Sequence, residues 1–472
     1  MTMAMERTRT PDVASGGNLV LHQYELGCLS QLSYLVGDRS SGKAVVVDPR
    51  RDIAEYLADA EAEGLAIDWV VETHFHADFL SGHLEVAEAT GATIVFGQGP
   101  ETEFEAWRVT DGDVIELGTV RLEVRATPGH TPESISLVVV DSSRGDDPVA
   151  VLTGDTLFIG DVGRPDLLAS VGVTADELAN MLYDSLHTKL MTLPDATVVL
   201  PAHGAGSACG KNLAAETHST IGTQRATNYA VAPMDRERFV EVVTEGQPSA
   251  PEYFVFNAML NRADRSLLDE HRAPAMTLDE VLAAQRDGAA VVDTRDGIAF
   301  AAGHLRGSVN VGLDGRFAEY AGSVVAPDTP IVLVSYPGTD AEAHMRLGRI
   351  GFDNVLGYLA DPDDVLALHP EVVERASRLT KAELDERRDA VAGLQLVDIR
   401  NPGEVANGML EGARHIPLAE LNRRIGELDA AVPTVVYCAG GYRSSVAASL
   451  LRSSGFDDVS DLLGGYGACS IG

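Results

Sequence analysis

Short apolar runs recur along the whole chain, and each is followed by a polar or glycine-containing segment. Runs of this length are typical of buried β-strands, and loops at strand ends are where rigid scaffolds display chemistry. A helical pattern from 446 to 451 follows the last run. The alternation of strands with helices predicts an α/β protein throughout. The strand-like runs are Trp69-Val70-Val71, Ala150-Val151-Leu152, Val198-Val199-Leu200, Ile331-Val332-Leu333-Val334 and Thr434-Val435-Val436-Tyr437.

The second half of the chain contains an internal repeat. Residues 291–295 are echoed by residues 396–400, 105 positions further on, and a similar glycine-containing loop follows each segment, at 303–310 and at 408–413. Both copies then reach an apolar strand and a loop that opens a helix. A repeat of about 100 residues is too long for a solenoid unit and suits duplicated domains of ordinary size.

The length of 472 residues suits about three domains, and a content of 45% hydrophobic residues is typical of a globular protein. Each predicted domain has enough chain to bury its own core. The proline-rich stretch 247–251 is interpreted as a loop inside the first domain, because the apolar segment 253–256 follows it. The predicted domains are residues 1–265, 266–372 and 373–472, with linkers near 262–275 and 370–385.

Residues 73–79 read Thr-His-Phe-His-Ala-Asp-Phe, which resembles the HxHxDH metal signature with Phe79 in the place of the last histidine. A complete signature supplies two metal sites, and Phe79 removes a ligand from the second because a phenyl ring has no lone pair to donate. The pattern therefore favours a mononuclear site. Three further residues of ligand type, His130, Asp155 and His203, lie in loops downstream, and the last two follow strand-like runs.

The identity of the metal depends on the ligand set. His74, His130 and Asp155 would place two imidazoles and one carboxylate on one face of the ion, an arrangement typical of non-haem Fe(II) centres that react with oxygen. Zinc remains the alternative, because zinc hydrolases also use histidine and aspartate ligands with one open position.

The motifs of the first domain resemble the persulfide dioxygenase branch of the metallo-β-lactamase superfamily. The resemblance implies a four-layer αββα sandwich and a single Fe(II) per chain, bound by the three ligands just named. It assigns three further residues either to orient those ligands or to hold a weak second metal, namely His76, Asp78 and His203.

Three more residues near these motifs gain a role from the resemblance. Arg164 would meet the carboxylate or polar tail of the substrate, and an ion pair with Asp161 or Asp166 on a solvated loop is the alternative. Cys209 lies six residues beyond the last metal-site histidine and would relay or bind a sulfur atom. Cys28 matches a cysteine common near the metal in that family. For both thiols, a small buried core cysteine is the alternative.

The second copy of the repeat contains Cys438-Ala439-Gly440-Gly441-Tyr442-Arg443-Ser444 before the helical pattern, and this segment resembles the active-site loop of rhodanese sulfurtransferases. A thiol ringed by backbone N–H groups at a helix N-terminus and near Arg443 should be held as a thiolate. Four residues separate Cys438 from Arg443, whereas related phosphatases need five to surround a phosphate, so the loop fits a single sulfur atom better. Cys438 is the predicted nucleophile, and Arg443 is a predicted substrate-binding residue.

The first copy carries Ser335-Tyr336-Pro337-Gly338-Thr339-Asp340 at the equivalent loop, so that Ser335 holds the place of the nucleophile. An alcohol is not a usable sulfur carrier at neutral pH. This domain therefore resembles an inactive rhodanese, and it would serve as a spacer, a docking surface or half of a dimer contact. We expect a homo-oligomer.

The formal net charge of −35, from 36 basic and 71 acidic residues, argues against nucleic acid and anionic membranes as partners. Four cysteines are too few for a disulfide framework in a chain of this length, and a reactive Cys438 requires a reducing compartment. The start of the chain lacks the apolar core of a signal peptide, and no run approaches the length of a membrane span. We expect a cytoplasmic protein.

Two independent sulfur-related sites support one another, and nearly the full chain resembles fusions of a persulfide dioxygenase, a pseudo-rhodanese and a rhodanese. The resemblance implies that an iron centre oxidises a low-molecular-weight persulfide, such as glutathione persulfide, with O2 to sulfite and thiol in sulfide detoxification. Cys438 would transfer sulfane sulfur between persulfides and sulfite or thiosulfate. One alternative is a glyoxalase II-like thioester hydrolase, against which Phe79 counts. Another is a non-catalytic sulfur-binding scaffold, against which the complete Cys438 loop counts.

Overall fold

The computed structural model describes residues 6–7, 15–167, 172–406 and 408–469, with the backbone alone for residues 6 and 7. We expect no signal peptide at the start of the chain, and residues 1–5 and 8–14 of that segment lie outside the described residues. The chain divides into two compact units, one formed by residues 1–247 with 254–268 and the other by residues 248–253 with 269–472.

The first unit contains two β-sheets and the helices that flank them. A π-helical turn, Ser185–Leu190, extends the third helix. The strands are β1 (Glu6–Arg7), β2 (Leu19–Leu26), β3 (Gln31–Asp38), β4 (Lys43–Val47), β5 (Ala66–Val71), β6 (Thr93–Gly97), β7 (Trp107–Val109), β8 (Val114–Glu116), β9 (Val120–Ala126), β10 (Ile135–Asp141), β11 (Pro148–Gly154), β12 (Val198–Pro201) and β13 (Ser219–Thr220). The helices are α1 (Ala54–Glu63), α2 (His83–Thr90), α3 (Ala175–Asp184), α4 (Ile221–Thr227), α5 (Arg236–Thr244) and α6 (Tyr253–Leu260).

The second unit contains the two copies of the repeat. Its strands are β14 (Ala275–Met276), β15 (Ala290–Asp293), β16 (His304–Leu305), β17 (Val309–Asn310), β18 (Ile331–Val334), β19 (Val355–Leu359), β20 (Val373–Glu374), β21 (Ser377–Leu379), β22 (Gln395–Asp398), β23 (Arg414–His415), β24 (Thr434–Tyr437) and β25 (Val459–Leu462). Its helices are α7 (Leu278–Arg286), α8 (Gly297–Ala302), α9 (Phe317–Val324), α10 (Asp340–Gly348), α11 (Pro362–Leu368), α12 (Lys381–Ala390), α13 (Pro402–Val405), α14 (Leu421–Arg424) and α15 (Tyr442–Ser453).

The first unit is a four-layer αββα sandwich, as predicted. One sheet has seven strands in the order β1 to β7, and the other has six in the order β13-β12-β11-β10-β9-β8. Period-two alternation along the strands divides the apolar side chains between layers. Leu19 and Leu21 enter the core between the sheets, whereas Val20 packs under the first helices beside Tyr56 of α1. On the other sheet, Val138 packs against the layer of α3 and α5.

The two copies in the second unit are α/β domains of one topology. Their five-stranded sheets run β14-β19-β18-β15-β17 and β21-β25-β24-β22-β23, with every neighbouring pair parallel. The central strands β18 and β24 are buried along their whole length, which explains their uninterrupted apolar runs. Each copy opens with a capping box, at Thr277 with Glu280 and at Thr380 with Glu383. The predicted duplication and α/β class are confirmed.

Two short segments fall differently from the simplest sequence division. Strand β20 lies in the predicted third domain but pairs antiparallel with β16 of the first copy. Residues 248–253 belong to the second unit, where the Ser249 hydroxyl donates to Glu420 Oε1 at 2.7 Å. The interpretation of the proline-rich stretch as a loop of the first domain is therefore wrong for these residues, because the apolar segment behind it does not fix where the preceding loop packs.

Among the helices of the described residues, none combines the length and the apolar character needed to cross a membrane.

Candidate metal centre and candidate nucleophile

The three predicted metal ligands meet at the ends of the strands. His74 follows β5, His130 lies between β9 and β10, and Asp155 follows β11. The Nε2 atoms of His74 and His130 lie 3.7 and 3.5 Å from Asp155 Oδ2, and all three side chains are buried. One ligand atom from each residue lies within 4.8 Å of the other two. The structure therefore brings the whole predicted set together.

Contacts made by the Nδ1 atoms of His74 and His130 orient the two imidazoles so that their Nε2 atoms face Asp155. His130 Nδ1 donates to the backbone carbonyl of Arg164 at 2.9 Å, and His74 Nδ1 lies 3.0 Å from the Thr73 hydroxyl. Such contacts fix the tautomer and ring orientation of metal-binding histidines and leave Nε2 for the ion. A Cβ added at Gly163 would lie 1.9 Å from the Asp155 carbonyl oxygen, so only glycine allows this loop to approach the site.

The protonation states of this group suit a metal ion, because metals bind neutral imidazoles and ionised carboxylates. Burial lowers the pKa of His74 well below its usual value, with a further contribution from His76, and burial also lowers the pKa of His130. Burial alone would raise the pKa of Asp155, but the neighbouring imidazoles lower it far below the usual carboxylate range.

Two buried atoms of this group, His74 Nε2 and Asp155 Oδ2, have no hydrogen-bond partner within the described parts of the chain. Buried polar atoms are normally satisfied, so two such atoms facing each other indicate that a group is bound between them. Metal–ligand distances of about 2.0–2.2 Å are compatible with ligand atoms separated by 3.5 and 3.7 Å. The residues present therefore fit a metal ion with two nitrogen ligands and one oxygen ligand.

The second ligand group, His76, Asp78 and His203, also has one ligand atom from each residue within 4.8 Å of the other two. His203 Nδ1 lies 2.7 Å from Asp155 Oδ1, and His203 Nε2 lies 2.8 Å from Asp78 Oδ2, so carboxylates face both ring nitrogens. Burial alone would lower the pKa of His203, but Asp155 and Asp78 raise it well above the usual value of an imidazole. The ring of Phe79 is buried, its centroid lies 4.3 Å from that of the His76 ring, and it offers no ligand atom.

His76 belongs to a carboxylate cluster that the sequence reasoning missed. Its Nε2 atom lies 3.1 Å from Asp48 Oδ1 and 3.6 Å from Glu72 Oε2, with all three residues buried. Burial, and next the Asp48 carboxylate, raise the pKa of Glu72 well above its usual value. A signal was present, because Asp48 directly follows β4 and Glu72 directly follows β5.

Arg164 is buried and makes a two-pronged ion pair with Asp166, through Nε at 2.6 Å and Nη2 at 2.7 Å. Its Nη1 donates to the carbonyl of Ala208 at 3.1 Å. The pairing is one that the sequence offered as an alternative to substrate binding, but the loop is buried rather than solvated. The backbone of Arg164 is also part of the site, since its carbonyl accepts the His130 Nδ1 hydrogen.

Cys209 lies beside the candidate metal centre. Its Sγ atom falls within 4.8 Å of ligand atoms of Asp155 and His203, and the residue is 1% exposed. Burial raises the pKa of this thiol well above its usual value, and the carboxylates of Asp78 and Asp155 raise it further. Burial and both carboxylates therefore favour the neutral form of this thiol beside the candidate metal ligands. Cys28 is half-buried, in the turn between β2 and β3.

Cys438 lies in the loop between β24 and α15 of the second copy, and its side chain is buried. Gly441 donates its backbone N–H to Cys438 Sγ at 3.0 Å, and the Ser444 hydroxyl lies 3.7 Å from the sulfur. Gly441 has a φ of +102°, which favours glycine because a Cβ is strained there. The loop thus presents a thiol at the N-terminus of a helix, where the positive end of the dipole favours an anion.

Arg443 does not reach the sulfur as a free cation. Its Nη1 and Nη2 atoms each donate to the Glu404 carboxylate at 2.7 Å. In the first copy, Ser335 is buried and its hydroxyl lies 2.8 Å from that of Thr294. The predicted place of Ser335 at the nucleophile's position stands, and the partner of Arg443 is a residue that no sequence signal pointed to.

Both units resemble known proteins. Residues 26–203 match the Metallo-beta-lactamase superfamily, and residues 277–360 and 380–470 each match the Rhodanese-like domain. Persulfide dioxygenase ETHE1, mitochondrial, of Bos taurus is 31% identical over 257 residues, which cover 54% of this chain and 92% of that protein. The Homo sapiens protein of the same name is 31% identical over 251 residues, or 52% of this chain and 89% of that protein.

A solved structure extends the likeness. The crystal structure of a metallo-beta-lactamase from Staphylococcus aureus subsp. aureus COL shares 32% sequence identity with a TM-score of 0.68, and the match covers 73% of this chain and 99% of that one. The matched length exceeds the first unit, so the likeness includes part of the repeat.

Proposed function

The chain belongs to the persulfide dioxygenase family of the metallo-β-lactamase superfamily and carries two rhodanese-like domains behind that part, and we propose that it oxidises a low-molecular-weight persulfide and transfers sulfane sulfur. It is an enzyme with two candidate centres, one in each compact unit. The finer assignments below concern the substrate, the metal and the role of each residue.

The proposed oxidation converts a persulfide such as glutathione persulfide, with O2 and water, into the free thiol and sulfite (RSSH + O2 + H2O → RSH + H2SO3). A single Fe(II) ion held by His74, His130 and Asp155 would supply the redox chemistry with O2. The observation that carries this proposal is the buried pair of unmet atoms, His74 Nε2 and Asp155 Oδ2, which face the same point.

The protein residues around the ligands orient and enclose them. Thr73 and the Arg164 carbonyl contact the imidazoles of His74 and His130 and orient them. The buried rings of Phe79 and Phe158 lie near His203, with centroids 6.4 and 6.3 Å from the centroid of its ring. Apolar rings exclude water, which strengthens electrostatic interactions inside the site and limits side reactions. We assign His76, Asp78 and His203 to this supporting group rather than to a second metal.

Arg164 and Cys209 are proposed to act on the substrate side. Binding of a substrate carboxylate by Arg164 would require the arginine to exchange contacts, since Nε and Nη2 donate to Asp166 and Nη1 donates to the Ala208 carbonyl. Cys209, as a protonated thiol, is a weak hydrogen-bond donor placed to meet a sulfur atom near Asp155.

Cys438 is proposed as the sulfur carrier of the second centre. A thiolate can accept a sulfane sulfur as a persulfide and pass it to sulfite, giving thiosulfate, or to a thiol. The N–H of Gly441 and the N-terminus of α15 support negative charge on either species. Arg443, which holds Glu404, would position the loop and contact substrate only after exchange of that pair.

The decisive experiment is metal analysis of anaerobically purified protein combined with O2 uptake on glutathione persulfide. We expect one iron per chain, one O2 consumed per persulfide, and sulfite as the product. Two stoichiometric zinc ions with thioesterase activity would replace this proposal with the hydrolase alternative. Absence of turnover on any persulfide would favour the sulfur-binding scaffold.

We further propose a cytoplasmic location and a homo-oligomer. A reactive thiol at Cys438 requires a reducing compartment. Fractionation of cells followed by immunodetection tests the location, and analytical ultracentrifugation of the purified chain tests the assembly. Recovery outside the cytoplasm or a monomer at micromolar concentration would contradict them.

A further inference from the structure

A pocket of about 400 Å³ adjoins the sulfur of the second unit and is lined by both copies of the repeat. The active copy contributes Cys438, Tyr442 and Arg443 to its wall. The first copy contributes Asp314, Gly315, Arg316 and Tyr320, so that its cation at the pocket is Arg316 and its carboxylate is Asp314. The copy without a nucleophile therefore forms part of the site of the copy that has one.

Buried polar contacts beside this pocket hold the two copies together. The Asn310 N–H donates to Ser449 Oγ at 2.8 Å, and the Ser445 hydroxyl donates to Asn310 Oδ1 at 2.8 Å. The Tyr442 hydroxyl, on the active loop, donates to the carbonyl of Gly312. Satisfied buried polar networks rigidify and specify one arrangement, so the chain that follows Gly312 has a fixed place against the loop.

Helix α9 presents the two first-copy residues on one face. Arg316 is the residue before its first turn, and the Tyr320 N–H donates to the Arg316 carbonyl at 3.1 Å. Residues four apart lie on the same side of a helix. The Tyr320 ring also contacts the Tyr442 ring, with centroids 5.4 Å apart. Both side chains line the pocket and are half-buried there.

The guanidinium N–H groups of the two arginines at the pocket differ in whether they already have a hydrogen-bond acceptor. Both terminal nitrogens of Arg443 donate to Glu404, whereas the buried Nε of Arg316 has no hydrogen-bond partner in the described chain. Arg316 does form an ion pair with Glu319 through one terminal nitrogen. An unmet, buried guanidinium N–H costs free energy until an acceptor arrives, and the acceptor that suits a cationic fork is an oxyanion.

Tyr320 adds a neutral donor next to this cation. Burial, and next the Glu319 carboxylate, raise the pKa of its hydroxyl above the usual value, so the group stays protonated at neutral pH. A phenol that remains protonated can donate to an anion without repelling it.

We propose that the inactive copy supplies the anion-binding half of the sulfurtransferase pocket, in which Arg316 and Tyr320 hold the sulfonate oxygens of thiosulfate, or those of sulfite in the reverse direction, while Cys438 faces the transferable sulfur. This inference rests on the proposed role of Cys438 as a sulfur carrier. It also gives the inactive copy a function, as the element that selects sulfonate-bearing donors over others.

The transfer step balances without an outside oxidant. The Cys438 thiolate forms a bond to the sulfane sulfur of thiosulfate, and the bond between that sulfur and the sulfonate sulfur breaks. The electron pair of the broken bond leaves with sulfite, so Cys–S⁻ and S–SO3²⁻ become Cys–S–S⁻ and SO3²⁻. In the reverse direction, sulfite attacks the outer sulfur of the Cys438 persulfide. The charge on the leaving or attacking sulfite lies on the side of Arg316 in both directions.

The test compares Arg316→Gln with the parent in the full-length chain, using sulfur transfer from thiosulfate to cyanide and from a small alkyl persulfide that has no sulfonate. We expect the KM for thiosulfate to rise about tenfold or more, as loss of one charge-assisted hydrogen bond predicts. The kcat and the KM for the alkyl persulfide should stay at the parent values, and Arg316→Lys should recover part of the thiosulfate affinity.

Arg306→Gln is the matched control, because Arg306 is an exposed arginine of the same copy that pairs with Glu374. It should leave both KM values unchanged. Equal losses with both donors in Arg316→Gln would overturn the inference, since they would mean a general packing role. An unchanged KM for thiosulfate would overturn it as well.

Thermal unfolding identifies a folding defect, and Tyr320→Phe then carries the test, because it removes one hydroxyl and keeps the ring. We expect a rise of about threefold to tenfold in the KM for thiosulfate alone, and no change would contradict the inference. Failure of the parent to transfer sulfur at all would instead remove the proposed function of Cys438. The two failures are therefore distinguishable.

Discussion

The two copies of the repeat share a scaffold and differ in the loop that carries chemistry. Arg295 donates to the Asp293 carboxylate from Nε at 3.0 Å and from Nη2 at 2.7 Å. Arg400 donates to the Asp398 carboxylate from the same two atoms at 3.0 and 2.6 Å. Each arginine also donates to the carbonyl of the glycine that begins the following loop, Gly303 or Gly408. A pair that is kept in both copies, one with a cysteine in its loop and one with a serine, serves the fold rather than the reaction.

The difference lies at the start of the helix behind the loop. The second copy has Cys438 and then Arg443 there, whereas the first has Ser335 and then Asp340. Asp340 is buried and Arg272 holds its carboxylate, with Nη2 at 2.7 Å from Oδ1. A carboxylate at a helix N-terminus is stable but repels an anionic substrate. The first copy therefore has the same scaffold without a thiol in the loop or an arginine at the start of the helix.

The two ligand groups of the first unit show the same contrast. His74 Nε2 and Asp155 Oδ2 lie 3.7 Å apart without a hydrogen bond, whereas carboxylate oxygens lie 2.7 and 2.8 Å from the two ring nitrogens of His203, of which Nε2 also makes no hydrogen bond within the described residues. In each unit, one of two related positions is available to bind a metal ion or a substrate. The residues of the other position are engaged in internal ion pairs or packing contacts. The four predictions that follow test this contrast.

Replacing His130 by alanine should have the largest effect, because it removes one ligand from the open group. Iron content and O2 uptake on a persulfide should both fall below about one-hundredth of the parent, since even residues that only orient a ligand contribute 10–100-fold. Metal analysis and an oxygen electrode measure the two quantities. His271→Ala, at an exposed histidine, is the control and should match the parent. Parent-like iron in His130→Ala would contradict the assignment of the open group.

Cys438→Ser should abolish sulfur transfer, by at least about a thousandfold, because a nucleophile is lost. O2 uptake and sulfite release should stay near the parent rate, since the metal centre of the other unit needs no thiol from this one. Ser335→Cys added to this variant should not restore transfer, because Asp340 stands where the active copy has Arg443. Chromatography of sulfite and thiosulfate alongside oxygen uptake follows both activities. Equal loss of both in Cys438→Ser would require an obligatory relay through this thiol.

Asp398→Asn and Asp293→Asn should destabilise the two copies by similar amounts, about 3–5 kcal/mol, because each removes the buried carboxylate that pairs with a buried arginine. Urea unfolding gives the free energies of unfolding. Asp363→Asn is the control, since Asp363 contacts Arg295 from an exposed position and such pairs contribute about 0–1 kcal/mol. A stable Asp293→Asn beside an unstable Asp398→Asn would show that the pair serves the reaction after all.

Phe79→His should have the smallest effect of the four and sharpens the contrast within the metal unit. The added imidazole joins Asp78 and His203, so metal content should rise from one towards two ions per chain. A bridged Asp155 is a poorer ligand to iron, and dioxygenase activity should fall about tenfold. Phe79→Leu, which keeps an apolar side chain, should bind metal as the parent does. One iron and full activity in Phe79→His would reduce Phe79 to a packing role.

Much of the fold was predictable because its signal is local. The apolar runs before Asp155 and His203 announce buried strands, and period-two alternation then decides which side chains enter which layer. The repeat was visible because both copies keep the Asp293 and Asp398 segments at one spacing. Polar residues that directly follow such strands were therefore sound candidates for a site.

The sequence by itself determined the strand ends that carry His74 and Asp155, the absence of a ligand at Phe79, and the presence of Cys438 in only one copy. Only the tertiary structure decided the partners: Asp166 for Arg164, Glu404 for Arg443, and Asp155 for Cys209. It alone brought Arg316 of the inactive copy to the pocket of Cys438. The physical reason is that periodicity and motif spacing depend on residues close together in the sequence. The partner of a charged side chain depends on which distant residues the packing of the chain brings next to it.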